Sequence, residues 1–151
     1  KSALINRLVR KKVVNSSRKA GVTRSLRWVR VGEDLDLLDA PGVLPPRLDD
    51  QKAALRLALC DDIGQASYDT ELVAIKFIKM LNRLELNNQS GVSLKLLEQR
   101  YGLSLHQKTA EQWMMRIAER HTSNDTRRMG QRILDDFRKK LLGPISLEIP
   151  T

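Results

Sequence analysis

The chain has 151 residues, 41% of them hydrophobic, which suffices for one ordinary domain or two small ones and excludes general disorder. Lys and Arg number 27 against 18 Asp and Glu, a formal charge of +9 that points to an anionic partner; aromatic residues, at 4%, are too few for widespread base stacking, so phosphate contacts fit better than base readout. A single cysteine excludes an internal disulfide and paired-cysteine metal motifs, and no apolar run approaches the roughly 20 residues that cross a bilayer.

Ser2 to Leu8 predicts a short helix with Leu4, Ile5 and Leu8 on one side. The basic, serine-containing stretch from Asn15 to Gly21 has loop composition. Arg27 to Val31 alternates with period two, Leu35 to Leu38 runs into Asp39, and Gly32-Glu33-Asp34 between them completes the pattern of a β-hairpin. Trp28 is expected to pack on the sheet face. Pro45-Pro46 closes this segment, which sets a domain boundary with an α/β part at residues 1–47 and an all-helical part at 48–151.

Asp49-Asp50 reads as the N-cap of a helix through about Leu59, with Ala54, Leu55, Ala58 and Leu59 at helical spacing. A second helix of this half runs from about Asp69 to Leu84 with Val73, Phe77, Met80 and Leu81 inward. Ser93 to Tyr101 makes a third, stopped by Gly102. Thr109 to His121 makes a fourth, whose Trp113, Met114 and Ile117 are read as core. The fifth spans Asp125 to about Leu142 and ends at Gly143-Pro144, with Ile145 to Ile149 as an extended tail. Cys60 is expected to be a packed small residue, Asp61-Asp62 a cap or loop, and His106 and His121 lack partners at metal-ligand spacing.

Chemistry enters through order. A phosphate-binding loop needs glycines, a Lys that reaches the β and γ phosphates and a Ser or Thr that ligates magnesium, all at a helix start. Lys1-Ser2 before the first helix supplies the last two, and the chain is read as beginning inside such a loop. Asp39, at the end of a strand, sits where a magnesium-side carboxylate belongs, and Gly42 can bring a backbone amide to the γ-phosphate. Thr23, between helix and hairpin, can add its hydroxyl to magnesium. Taken singly, Asp39-Ala40-Pro41-Gly42 also suits an ordinary β-turn, Thr23 a strand start, and the basic residues solvated helix faces.

Lys1-Ser-Ala-Leu-Ile-Asn-Arg-Leu, Ala20-Gly-Val-Thr, Leu37-Leu-Asp-Ala-Pro-Gly-Val-Leu-Pro-Pro, Asp50-Gln and the late Asp135-Asp-Phe-Arg-Lys-Lys-Leu-Leu-Gly-Pro-Ile-Ser-Leu-Glu together resemble the circularly permuted ribosome-biogenesis GTPases of the YlqF/RbgA type. The family usually has Pro-Gly-x-Thr where this chain has Ala20-Gly21-Val22-Thr23, which leaves the threonine in place. The resemblance implies a partial P-loop GTPase domain of helix, switch loop and β-hairpin followed by a bundle of about five helices, a class of α/β plus all-α.

It also implies GTP as substrate, Mg2+ and K+ as cations, and GTP contacts from Lys1, Ser2, Thr23, Asp39 and Gly42, with Ser2, Thr23 and Asp39 on the metal. Val43 stands where many GTPases keep a catalytic Gln, so no catalytic residue is assigned and hydrolysis needs another group or a partner surface. The guanine-recognition motif Asn-Lys-x-Asp is absent, as expected where the permuted order places it before the phosphate loop; this stretch alone is expected to bind nucleotide weakly. The implied role is a monomeric assembly factor for the large ribosomal subunit, in the bacterial cytoplasm or secondarily the plastid stroma. Its helical half would contact ribosomal RNA, with Arg127, Arg128, Arg138, Lys139 and Lys140 as candidates. The rival reading is a non-enzymatic, basic helical RNA-binding protein.

Overall fold

Strand alternation and helix periodicity produce two separate apolar clusters. The computed structural model describes residues 2–14, 25–41, 48–86 and 94–147, and the chain divides into two units, Lys1–Asp49 and Asp50–Thr151. The expected loop at 15–21, Pro45-Pro46, the Ser93 helix start and the end of the tail lie outside the described residues.

In the first unit, α1 spans Ser2–Leu8, β1 Arg27–Arg30 and β2 Asp36–Asp39. The strands are antiparallel with Arg27 opposite Asp39, Trp28 opposite Leu38, Val29 opposite Leu37 and Arg30 opposite Asp36. The turn closes through the Val31 amide to the Leu35 carbonyl at 2.9 Å, and the Arg30 side chain donates to the Gly32 and Glu33 carbonyls. Val29 is buried with Ile5 and Val14, and Val9, Val13 and Leu37 pack against them. Two expectations fail here. Only Ile5 of α1 is buried, with Leu4 and Leu8 exposed, and Trp28 is 70% exposed rather than packed. The period-two pleat explains Trp28: with Val29 turned inward, its neighbour and the cross-strand Leu38 must point to the opposite face.

The second unit holds α2 (Gln51–Leu59), a single 3-10 turn at Gln65–Ser67 that the pattern did not foretell, α3 (Thr70–Leu86), α4 (Leu94–Tyr101), α5 (Ala110–His121) and α6 (Thr126–Arg138). Side-chain caps begin four of these helices. The Asp50, Asp69 and Asp125 carboxylates accept the Lys52, Leu72 and Arg128 amides, and Thr109 with Gln112 forms a reciprocal capping box. The amides of Ala53 and Lys52 also hold the Asp50 carboxyl below its ordinary range. Gly102 stops α4 at φ +66°, a conformation that costs glycine little.

Helix α6 stops at Arg138, short of the expected Leu142, because Lys140 turns left-handed at φ 61° and the Leu141 amide folds back to the Asp136 carbonyl at 2.9 Å. The core joins Phe77, Ile78 and Leu81 of α3 to Leu97 and Tyr101 of α4, Trp113, Met114 and Ile117 of α5, and Met129, Ile133 and Leu134 of α6. Trp113 keeps its one polar atom satisfied by donating Nε1–H to the Leu103 carbonyl at 2.8 Å. Cys60, expected to be packed, is exposed at the C-cap of α2, where partial burial and, less strongly, the nearby Asp62 push its thiol up.

Candidate functional site

Of the residues read as phosphate and magnesium contacts, Ser2 and Asp39 are described, both in the first unit, and Lys1, Thr23 and Gly42 lie outside the described residues, as does Val43. Ser2 is the first residue of α1 and half-buried. Asp39 is the last residue of β2 and only 1% exposed. A carboxylate taken this far from water needs cationic or hydrogen-bonding company. The hairpin register supplies some of it by setting Arg27 opposite, with Nε 3.9 Å from the Asp39 Oδ2.

The same guanidinium donates from Nη2 to the Val13 carbonyl at 2.6 Å. Val13 is held in turn by α1: the Asn6 Oδ1 accepts the Val13 and Val14 amides at 2.9 Å each, and Asn6 Nδ2 donates to the Val14 carbonyl at 2.8 Å. The side chains of Asn6 and Arg27 therefore tie α1, the chain just after it and the end of β2 into one assembly. Sequence reasoning missed both. Two signals were available: an Asn inside a helix, where its side chain usually seeks backbone partners, and an Arg placed by the hairpin register across from Asp39.

A hydroxyl and a carboxylate are hard oxygen donors of the kind magnesium takes, and magnesium commonly keeps waters and substrate oxygens for its remaining positions. Among the described residues, no cluster of three or more His, Cys, Asp or Glu could hold a metal by itself. Ser2 at the start of α1 and Asp39 at the end of β2 each offer an oxygen of that kind.

The basic candidates of the second unit separate into two kinds. Arg127, Arg128, Lys139 and Lys140 are exposed, and the first two line a groove of about 550 Å³ with Gln65, Ala66, Thr70, Asp125 and Gln131. Arg138 is engaged within the bundle. Its guanidinium donates to the Leu59 carbonyl at 3.1 Å, the Ala58 carbonyl at 2.8 Å and the Tyr68 hydroxyl at 2.9 Å, and lies 3.4 Å from Asp61. Lying four residues beyond Leu134, it falls on the inward stripe of α6 and caps the carbonyl end of α2 instead of facing a partner.

Deeper in the bundle, Asp136 is 6% exposed and its Oδ2 accepts both Arg100 Nε and the Tyr101 hydroxyl at 2.9 Å. Burial and this hydrogen bond push the Tyr101 phenol well above its ordinary range, and Asp136 likewise raises Arg100. The three side chains form a hydrogen-bonded network that ties the end of α4 to α6.

The sequence profile of the 50S ribosome-binding GTPases matches residues 1–114. Among similar proteins, ribosome biogenesis GTPase A of Bacillus pumilus is 40% identical over 81 residues, 54% of this chain and 29% of that protein. Its Bacillus cereus counterpart is 35% identical over 83 residues, 55% and 28% of the two chains. Mitochondrial GTPase 1 of Aedes aegypti is 36% identical over 91 residues, 55% and 29%. The chain spans less than a third of the length of these curated relatives.

Proposed function

We infer from membership of the 50S ribosome-binding GTPase family, to which this chain belongs, that the protein carrying it binds GTP with magnesium, hydrolyses it, and uses the nucleotide state to switch its hold on a large ribosomal subunit under assembly. The observation that carries the reading is Asp39: a carboxylate at the C-terminal end of a strand, 1% exposed, in a chain whose relatives are named as ribosome biogenesis GTPases.

In this reading Lys1 binds the β and γ phosphates, and Ser2, Thr23 and Asp39 direct oxygens toward magnesium, while Gly42 offers a backbone amide to the γ-phosphate. Magnesium, when bound, offsets the charge that develops on the phosphate oxygens. Potassium is a second cation of the proposal. Val43 has no group that can orient water, which leaves water positioning to another group or to a ribosomal surface.

The helical unit supplies the ribosomal contact. Arg127, Arg128, Lys139 and Lys140 present four exposed cations for RNA phosphates without base readout. The setting proposed is a bacterial cytoplasm, with the protein acting as a monomer.

The test is GTP turnover by the full-length protein with and without purified large subunits. Turnover rising by about tenfold or more on adding subunits is the expected result, in keeping with a water-positioning group supplied by a partner. An unchanged rate would sink the switching mechanism, and turnover independent of magnesium would sink the site assignment.

A further inference from the structure

Arg27 opens β1, Asp39 closes β2, and the antiparallel register brings the two together. The guanidinium divides its donors unequally. Nη2 makes a short hydrogen bond of 2.6 Å to the Val13 carbonyl, whereas Nε stands 3.9 Å from Asp39 Oδ2, an ion pair without a hydrogen bond. Val13 cannot drift, because its amide is bonded to Asn6 of α1. The arginine is therefore anchored at the Val13 carbonyl and only electrostatically engaged with Asp39.

A guanidinium is a permanent positive charge in proteins, and such a charge beside a carboxylate weakens that carboxylate's pull on any second cation. We propose that Arg27 is a positioning residue that sets the divalent-cation affinity of Asp39: it holds the carboxylate in place when no metal is bound and opposes the metal when it arrives. Because Arg27 meets Asp39 by charge and not by a hydrogen bond, its effect on the carboxylate is that of the charge alone, while its hydrogen bond goes to Val13. The cation then binds against a fixed charge, which keeps its affinity moderate and its exchange responsive to the nucleotide. The inference rests on reading Asp39 as the magnesium-side carboxylate.

The experiment is a magnesium titration of fluorescent GDP-analogue binding by the full-length protein, in wild type, Arg27→Gln and Arg27→Lys. Glutamine removes the charge and keeps a polar side chain, two bonds shorter than the Nη2 that reaches Val13. The magnesium midpoint of Arg27→Gln should fall by about three- to tenfold, the size expected for losing one partly screened charge a few ångströms away. Nucleotide affinity at saturating magnesium should stay within about twofold, and Arg27→Lys should restore the wild-type midpoint.

A midpoint in Arg27→Gln that is unchanged or raised overturns the proposal and leaves the GTPase reading standing. Wild type without magnesium-dependent nucleotide binding overturns both. Should Arg27→Gln fail to fold, Arg27→Met keeps the aliphatic stem without the charge and is read by the same midpoint.

Discussion

The Tyr101 hydroxyl donates to Asp136 Oδ2 at 2.9 Å, joining α4 to α6 through a carboxylate that also accepts Arg100. Removing the acceptor strands a buried phenol. Asp136→Ala is expected to destabilise the protein by about 1–3 kcal/mol, mainly the cost of leaving the buried Tyr101 hydroxyl without its acceptor, since Arg100 is exposed and keeps its hydration. Tyr101→Phe, which removes one hydroxyl, should cost about 1 kcal/mol. The two also differ in pH behaviour. Because the folded state raises the Tyr101 pKa, its contribution is whole below the ordinary value near 10 and is lost as pH rises above it, where only the unfolded chain ionises. Urea denaturation between pH 8 and 11 should show the stability gap between wild type and Tyr101→Phe narrowing above pH 10. A constant gap across that range would contradict the network.

Gly130 marks the closest approach of α6 to the first turn of α3. A Cβ there would stand 3.1 Å from the Glu71 Cα and 3.2 Å from the Thr70 carbonyl, both backbone atoms that cannot swing aside. Alanine at an exposed helix position would gain about 1 kcal/mol over glycine. Here overpacking of about 1–3 kcal/mol opposes that gain, so Gly130→Ala should be neutral to destabilising, never stabilising. Chemical denaturation decides it: a raised midpoint would mean the helices stand further apart than described.

Arg138 and its neighbours should part company under mutation. Arg138→Ala leaves the Leu59 and Ala58 carbonyls without their donor and Asp61 without its cation, and should cost about 2–4 kcal/mol. Arg127→Ala and Arg128→Ala touch exposed side chains and should change stability by less than about 0.5 kcal/mol. Under the proposed function their effect falls on RNA binding. Each is expected to weaken binding of a large-subunit rRNA fragment and to reduce the slope of log affinity against log salt by about one. Filter binding at several salt concentrations, beside thermal melts, separates the two effects. A salt slope unmoved in both variants would exclude them from the phosphate contacts.

The helices were legible because three-and-four spacing of apolar residues survives any tertiary context, and because Asp50, Thr109 and Asp125 announce their starts by cap chemistry. The end of α6 was not, since Arg138-Lys139-Lys140 reads as uniform helix and the left-handed turn at Lys140 uses no glycine. Composition likewise hid the difference between Arg138 and Lys139, which is set by helical phase against α2. Trp28 misled because bulk suggests burial, while the pleat assigned the inward place to Val29. At the candidate site, residue order exposed Asp39, but the Asn6 and Arg27 tie depends on side chains reaching backbone across 8 and 14 positions, which no local pattern encodes.

Asn6 offers the most local test of the first unit. Its side chain fills three backbone valences of Val13 and Val14, and it is half-buried, so water does not readily replace it. Asn6→Ala should free both amides, and their hydrogen exchange should accelerate by about tenfold or more, the rate then reporting local opening instead of global unfolding. Asn6→Asp keeps an acceptor for both amides but loses the donor to the Val14 carbonyl and sets a negative oxygen beside it. Its Val13 and Val14 amides should therefore exchange at intermediate rates. The Trp113 and Leu134 amides of the second unit serve as internal controls and should be unaffected in either variant. Equal protection of Val13 and Val14 in wild type and Asn6→Ala would show that the segment after α1 is held by something other than Asn6.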